Sequence, residues 1–120
     1  MSSVVEQYYD ENVQREWERM DRHRTEFAVT LRVLHDYLPM PPARLIDIGG
    51  GPGRYAIALA QQGYAVTLVD LSQRCLGFAQ DKAREAGVEL AGCVRGNAVN
   101  LTRFSDTEFD AALLMGRCII

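Results

Sequence analysis

The sequence predicts an α/β protein built on a doubly wound, mostly parallel sheet, and three observations carry that prediction. Apolar, β-branched runs alternate with amphipathic ones along most of the chain, as β-α-β units require. Four glycines in five positions (Gly49, Gly50, Gly51 and Gly53) stand where the first of those runs hands over to a helical pattern. The 120 residues, 48% apolar and 24% charged, suffice for one core and for no more than one domain.

The elements follow in order. Larger or apolar side chains recur at Val13, Trp17, Met20, Phe27, Leu31, Leu34 and Leu38, and Arg24 is the polar member of the same stripe. That spacing predicts one kinked helix or two consecutive helices across Glu11 to Leu38. Asp10 or Asn12 can cap its start, and "PMPP" (Pro39 to Pro42) ends it. "ARLIDIG" (residues 43–49) is a short strand whose apolar run is broken by Asp47. Residues 53–63 form a helix with Ala56, Ile57 and Ala60 on one face and Gly63 as its C-terminal cap. "YAVTLVD" (residues 64–70) is a buried strand. Ser72 then caps a helix that Gly87 ends, and Gly77 inside it costs about 1 kcal/mol relative to alanine. Residues 89–96 and 109–116 are two further strands, separated by a loop with room for one helical turn.

Composition narrows the function. Net charge is −3, with acids and bases interspersed, and no basic stripe is present for a nucleic-acid backbone. The densest charged stretch, residues 14–26, alternates in sign as a solvated helix face does. Cys75, Cys93 and Cys118 form no C-x-x-C, and His23 and His35 share no metal-ligand spacing with them. Reduced thiols, a cytoplasmic location and no bound metal are expected. The acidic start is not a signal peptide, and no apolar run is long enough to span a bilayer.

Glycine permits positive φ and lets a ligand touch the backbone, so the cluster at a strand's carboxyl end points to a bound small molecule. Gly51-x-Gly53-x-x-Ala56, with Asp70 beyond it, formally satisfies a dinucleotide fingerprint. Asp47 argues the other way. A pyrophosphate would meet its negative charge beside the loop, whereas a ligand with a cationic ammonium end would be favoured by it.

These residues resemble the class I S-adenosylmethionine (SAM) dependent methyltransferases. The resemblance lies in "DIGGGPG" (Asp47 to Gly53) for the D-x-G-x-G-x-G loop, and in Asp70 closing the second strand. "GNA" (Gly96, Asn97, Ala98) follows the third strand, and "FDAALLMG" is similar to the family's fourth. It implies a Rossmann-like fold, strands one to four of a seven-stranded sheet in the order 3-2-1-4-5-7-6. Residues 1–42 would be a helical lid segment and 43–120 a SAM-binding core, incomplete at its C-terminus. Gly49, Gly51 and Gly53 would lie against the methionine and adenosyl parts of SAM, and Asp47 would favour the amino group. Asp70 would take both ribose hydroxyls. The Asn97 amide oxygen would accept from the adenine amino group and the Ala98 amide would donate to the ring. Asn97 departs from the family's commoner aspartate, exchanging a charged acceptor for a neutral one.

Methyl transfer from a sulfonium needs positioning more than acid–base work, so no residue is assigned a catalytic role. By the same resemblance Tyr8, Tyr9 and Trp17 would close over the cofactor from an N-terminal lid, although Trp17 is expected to be a core residue instead. The acceptor is expected to be a small molecule. Two other readings stay open, an NAD or FAD domain and a non-catalytic SAM-binding module that self-associates. The chain's last residues carry a further expectation. Family members continue "LLMGPLYHL" where this chain reads "LLMGRCII". With GGC CCG CTG TAT CAT CTG as parent codons, loss of one C gives Gly-Arg-Cys-Ile-Ile. A frameshift after Gly116 is therefore expected, leaving a truncated chain with little or no methyl transfer and strand four as an exposed apolar edge through which it self-associates or loses solubility.

Overall fold

A computed structural model of the chain describes residues 13–15, 17–19, 23–96, 108–114 and 117–118. Period-two alternation decides the faces of its sheet. Leu45, Val66, Leu68, Ala111 and Leu113 point to one side and Ile46, Ile48, Val69 and Ala112 to the other, all of them buried. A strand loaded on both faces belongs in the middle of a covered parallel sheet. The four strands β1 (Arg44–Ile48), β2 (Ala65–Asp70), β3 (Gly92–Arg95) and β4 (Ala111–Leu114) are parallel, in the order β3-β2-β1-β4. The expected order 3-2-1-4 is observed.

The described helices α1 (Arg24–Tyr37), α2 (Arg54–Gln61) and α3 (Gln73–Glu85) supply the core of the first face. Leu34 and Leu38 from the first helix, Ala56 and Leu59 from the second, and Leu76 and Ala79 from the third join Leu45, Val66 and Leu68 there. Each fully buried leucine contributes roughly 1.5–3 kcal/mol. Residues 13–15 and 17–19 are helical, and His23 lies in a turn before α1. Two helical stretches therefore stand where one kinked helix or two helices were expected. The capping candidates Asp10 and Asn12 lie outside the described residues.

The expected punctuation is in place. The Ser72 hydroxyl accepts the Cys75 amide at 3.1 Å. Gly63 adopts φ +102, its amide donating to Ala60, while the Tyr64 amide reaches back to Leu59. Past the proline turn, the Tyr64 hydroxyl donates to the Pro39 carbonyl at 2.6 Å, tying the start of β2 to the end of α1.

Apart from shifts of one or two residues, as at β4, which starts at Ala111 and not at Phe109, two features differ from the sequence reading. β3 begins at Gly92 and not at Glu89. The Val88 amide is still bonded to Ala83 in the turn closing α3, so the residues up to Ala91 serve to return the chain to the sheet. The second difference concerns the edge. A two-residue strand β5 (Arg117–Cys118) pairs antiparallel with β4, with Leu113 opposite Cys118 and Leu114 opposite Arg117. β4 is therefore not open along its whole outer edge as expected, because Arg117 and Cys118 pair with its last two residues.

Candidate cofactor-binding site

β1 and β2 lie side by side with Asp47 opposite Leu68 and Ile48 opposite Val69. Their carboxyl ends are therefore level, and the Gly49 amide donates to the Val69 carbonyl at 2.7 Å. Alternation then sends Asp47 and Asp70 to the same, helix-bearing face. Both are buried, at 0% and 6% exposure.

The glycine loop folds over these two acids. Gly51 adopts φ +59, and nothing lies within 4 Å of where its side chain would stand. That position combines left-handed backbone with open space, as a ligand-facing glycine should. Gly50 is the opposite case. A Cβ there would sit 2.5 Å from Asp47 Oδ2 and from Leu68 Cδ1, so the loop closes directly on the carboxylate. The would-be Cβ of Gly53 faces Ala79 at 2.8 Å, so this glycine serves the close packing of α3 against the start of α2.

Asp70 is held by one backbone amide on each of its oxygens. Its Oδ2 accepts the Gly51 amide at 2.8 Å and its Oδ1 accepts the Ser72 amide at 3.0 Å. One carboxylate thus fixes both the glycine loop and the entry to α3. Asp47 has no such partners: neither carboxylate oxygen is hydrogen-bonded, although both are sealed from water. Burial, and after it the neighbouring Asp70 charge, pushes the Asp47 carboxyl up from 3.8 to about 7.

The structure brings Asp47, Gly49, Gly51, Gly53 and Asp70 together around one loop. Asn97 and Ala98 lie outside the described residues, but Gly96, which precedes them, is within the site, its amide donating to the Asp70 carbonyl at 2.9 Å. Tyr8 and Tyr9 also lie outside. Trp17 is half-buried and clasped at the loop's exit. The Arg54 guanidinium lies 3.7 Å from its ring centroid and donates to its backbone carbonyl at 3.3 Å, while Phe78 meets the ring edge-on at 5.5 Å. Sequence reasoning counted Gly50 in the cluster without giving it a role of its own, and passed over Arg54 and Phe78. Gly50 is a fourth glycine between motif positions, and the other two carry no motif at all. A cavity of about 450 Å³ between the C-terminal half of α3 and the start of β3, beside Gln80, Leu90 and Cys93, includes none of the site residues in its lining.

Comparison with known proteins agrees with this geometry. A family model described as a methyltransferase domain matches residues 45–119. The tRNA 5-carboxymethoxyuridine methyltransferase of Escherichia coli is 40% identical over 48% of this chain and 22% of its own length. The ubiquinone biosynthesis O-methyltransferase of Xylella fastidiosa is 34% identical over 52% of this chain and 25% of its own. The chain thus spans about a quarter of the length of these curated relatives. A TehB-like SAM-dependent methyltransferase from Corynebacterium glutamicum superposes with a TM-score of 0.66 at 24% identity, covering 89% of this chain and 54% of that one, which establishes the shared fold. With the glycine loop, the two level acids and the 3-2-1-4 sheet, the match over residues 45–119 makes the conclusion plain: the chain belongs to the methyltransferase domain family.

Proposed function

We propose that this chain binds S-adenosylmethionine in its glycine loop and serves methyl transfer to a small-molecule acceptor. The observation that carries the reading is Asp47, a carboxylate wholly buried beneath the loop with neither oxygen satisfied. A buried unpaired acid calls for a cationic partner. The ammonium group of the methionine moiety is one, whereas a pyrophosphate would bring like charge against it. Asp70 spends one lone pair of each oxygen on the Gly51 and Ser72 amides, and the second of each remains for the ribose hydroxyls. Gly49 and Gly51 would bear on the methionine and adenosyl parts. Gly53 would contribute through the backbone that starts α2, and Asn97 and Ala98 would read the adenine. When bound, the cofactor supplies a methyl group already activated for in-line displacement, and the chain's own residues bind and orient it.

The same reading divides the chain into a helical segment, residues 1–42, and a cofactor-binding core, residues 43–120, and places the protein in the cytoplasm. Self-association would run along the outer side of β5, which now forms the edge. Calorimetry with SAM, S-adenosylhomocysteine and NAD tests the proposal. Binding of the two adenosyl compounds and not of NAD is expected, and a preference for NAD would overturn it.

A further inference from the structure

Asp47 differs from an ordinary cation-binding acid in having, among the described residues, no hydrogen-bond partner that could hold its charge in the ligand-free protein. Its Oδ2 lies 2.5 Å from the place a Gly50 Cβ would take, and both its oxygens are buried without a hydrogen-bond partner. Among the described residues, the charged group acting on it is Asp70, at the end of the adjacent strand, and that charge is of the same sign. The other charged side chains on the surrounding described elements are directed elsewhere. Arg44, at the far end of β1, pairs with Asp110 ahead of β4. Arg54 of α2 lies over Trp17. On α3, Lys82 pairs with Glu85, Arg84 with Asp81, and Arg74 is exposed. Arg95 of β3 donates to the Leu71 carbonyl. The charged groups of α1 (Arg24, Glu26, Arg32, His35 and Asp36) are all exposed. β4 itself carries none.

We propose that the cofactor's ammonium group enters this loop in exchange for a proton, which Asp47 carries in the empty protein and releases to solvent on binding. The inference rests on the SAM reading above and deepens it. In the empty site the neutral acid avoids an uncompensated buried charge beside Asp70. In the filled site the ammonium supplies the missing counter-charge, so the ionised acid becomes the favoured form and the proton leaves. The exchange is balanced: one O–H bond is lost at Asp47, buffer takes the proton, and an ion pair replaces the neutral acid. Affinity would therefore weaken as pH falls below about 7, by up to roughly tenfold per unit, until the empty and filled forms carry the same proton. Burial raises the carboxyl into that same range, in agreement with the geometry.

The test is calorimetry of the whole chain at pH 6 in two buffers of different ionisation enthalpy, phosphate and imidazole. S-adenosylhomocysteine carries the amino group, and its binding should release about 0.9 proton, the fraction carried at pH 6 by a group titrating near 7. 5′-Methylthioadenosine has no amino acid moiety and should bind with no release. Asp47→Asn should abolish the release while still binding the second compound. Independently, the Asp47 carboxyl carbon in the ligand-free protein should titrate near neutrality by NMR. Binding of the homocysteine compound without proton release, or an Asp47 that titrates near pH 4, overturns the exchange alone. Failure of both adenosyl compounds to bind overturns the SAM reading and the exchange with it.

Discussion

Asp47 and Asp70 end neighbouring strands, point to the same face and are almost equally hidden from water, yet their surroundings are opposite. Asp70 receives two backbone amides and holds the loop and the α3 entry in place. Asp47, one strand away, receives none. Burial alone therefore does not say what a buried acid is for. An acid whose oxygens are met by the fold is part of the scaffold, whatever else it touches. An acid left unmet imposes a cost in the empty protein, and a bound cation can relieve it. The pairing of the two makes the loop both fixed in position and receptive to positive charge.

Removing the unmet charge should have the largest effect. Asp47 is 0% exposed and its carboxyl is raised from 3.8 to about 7, so the folded state binds this proton more tightly than the unfolded chain does. Stability then falls as pH rises between about 4 and 7 and levels off above, by an amount on the order of 4 kcal/mol. Asp47→Asn should flatten that slope and leave the ligand-free variant more stable than the parent at pH 8. The same change should weaken binding of S-adenosylhomocysteine at pH 8 by tenfold or more. Urea unfolding at pH 5 and 8 checks the first half; a parent protein equally stable at both would mean that Asp47 is hydrated.

The met acid should respond in the reverse sense. Asp70→Ala strips the Gly51 and Ser72 amides of an acceptor, and hydrogen bonds to a charged group are each worth roughly 1.5–3 kcal/mol. Stability at pH 8 should drop by about that much. The Asp47 carboxyl should also titrate lower, because the neighbouring charge that raises it is gone. NMR titration of Asp47 in this variant would sharpen the comparison, and an unchanged value would show burial acting alone.

The loop glycines divide in the same way. Gly50→Ala places a methyl group against Asp47 and Leu68, and such overpacking costs about 1–3 kcal/mol in the empty protein. Gly51→Ala meets only open space and left-handed backbone, a strain of roughly 1–2 kcal/mol, so its larger effect should be on ligand affinity. Thermal melts with and without S-adenosylhomocysteine separate the two. A Gly51→Ala variant that binds normally would place the ligand away from that side of the loop.

The legibility of this molecule follows the range of the interactions involved. The apolar runs in "RLIDI" and "AVTLVD" and the caps at Ser72 and Gly63 are local patterns, and the structure reproduces them with only small shifts of boundary. The motif spacing likewise brings Asp47, Gly51 and Asp70 to one place. That Asp70 is bonded to the loop and Asp47 to nothing depends on which backbone amides turn inward, and no spacing encodes it. Gly50 was counted in the glycine cluster, but its close approach to both Asp47 and Leu68 is a matter of loop geometry that the count does not show. The return of β5 onto β4 escaped for a related reason. Two residues of antiparallel pairing leave no periodicity, and the expectation of an open edge came from the frameshift expected after Gly116 together with the family's sheet order.

The smallest effect expected is at Gly77, where a glycine has neither of the reasons found in the loop. It lies inside α3, its φ is not in the left-handed region, and nothing stands within 4 Å of the position a Cβ would take. Glycine in a helix interior costs about 0.5–1 kcal/mol relative to alanine, through the backbone freedom it gives up on folding. Gly77→Ala should therefore stabilise the protein by about that amount. Affinity for S-adenosylhomocysteine and the proton count at pH 6 should be unchanged, because the contacts that position Asp47 and Asp70 come from the strand ends, the loop and Ser72. Urea unfolding and a single calorimetric titration suffice to check both halves. A stabilised variant that bound more weakly would place the ligand over the middle of α3, and the assignment of the site to the loop and the two strand ends would have to move with it.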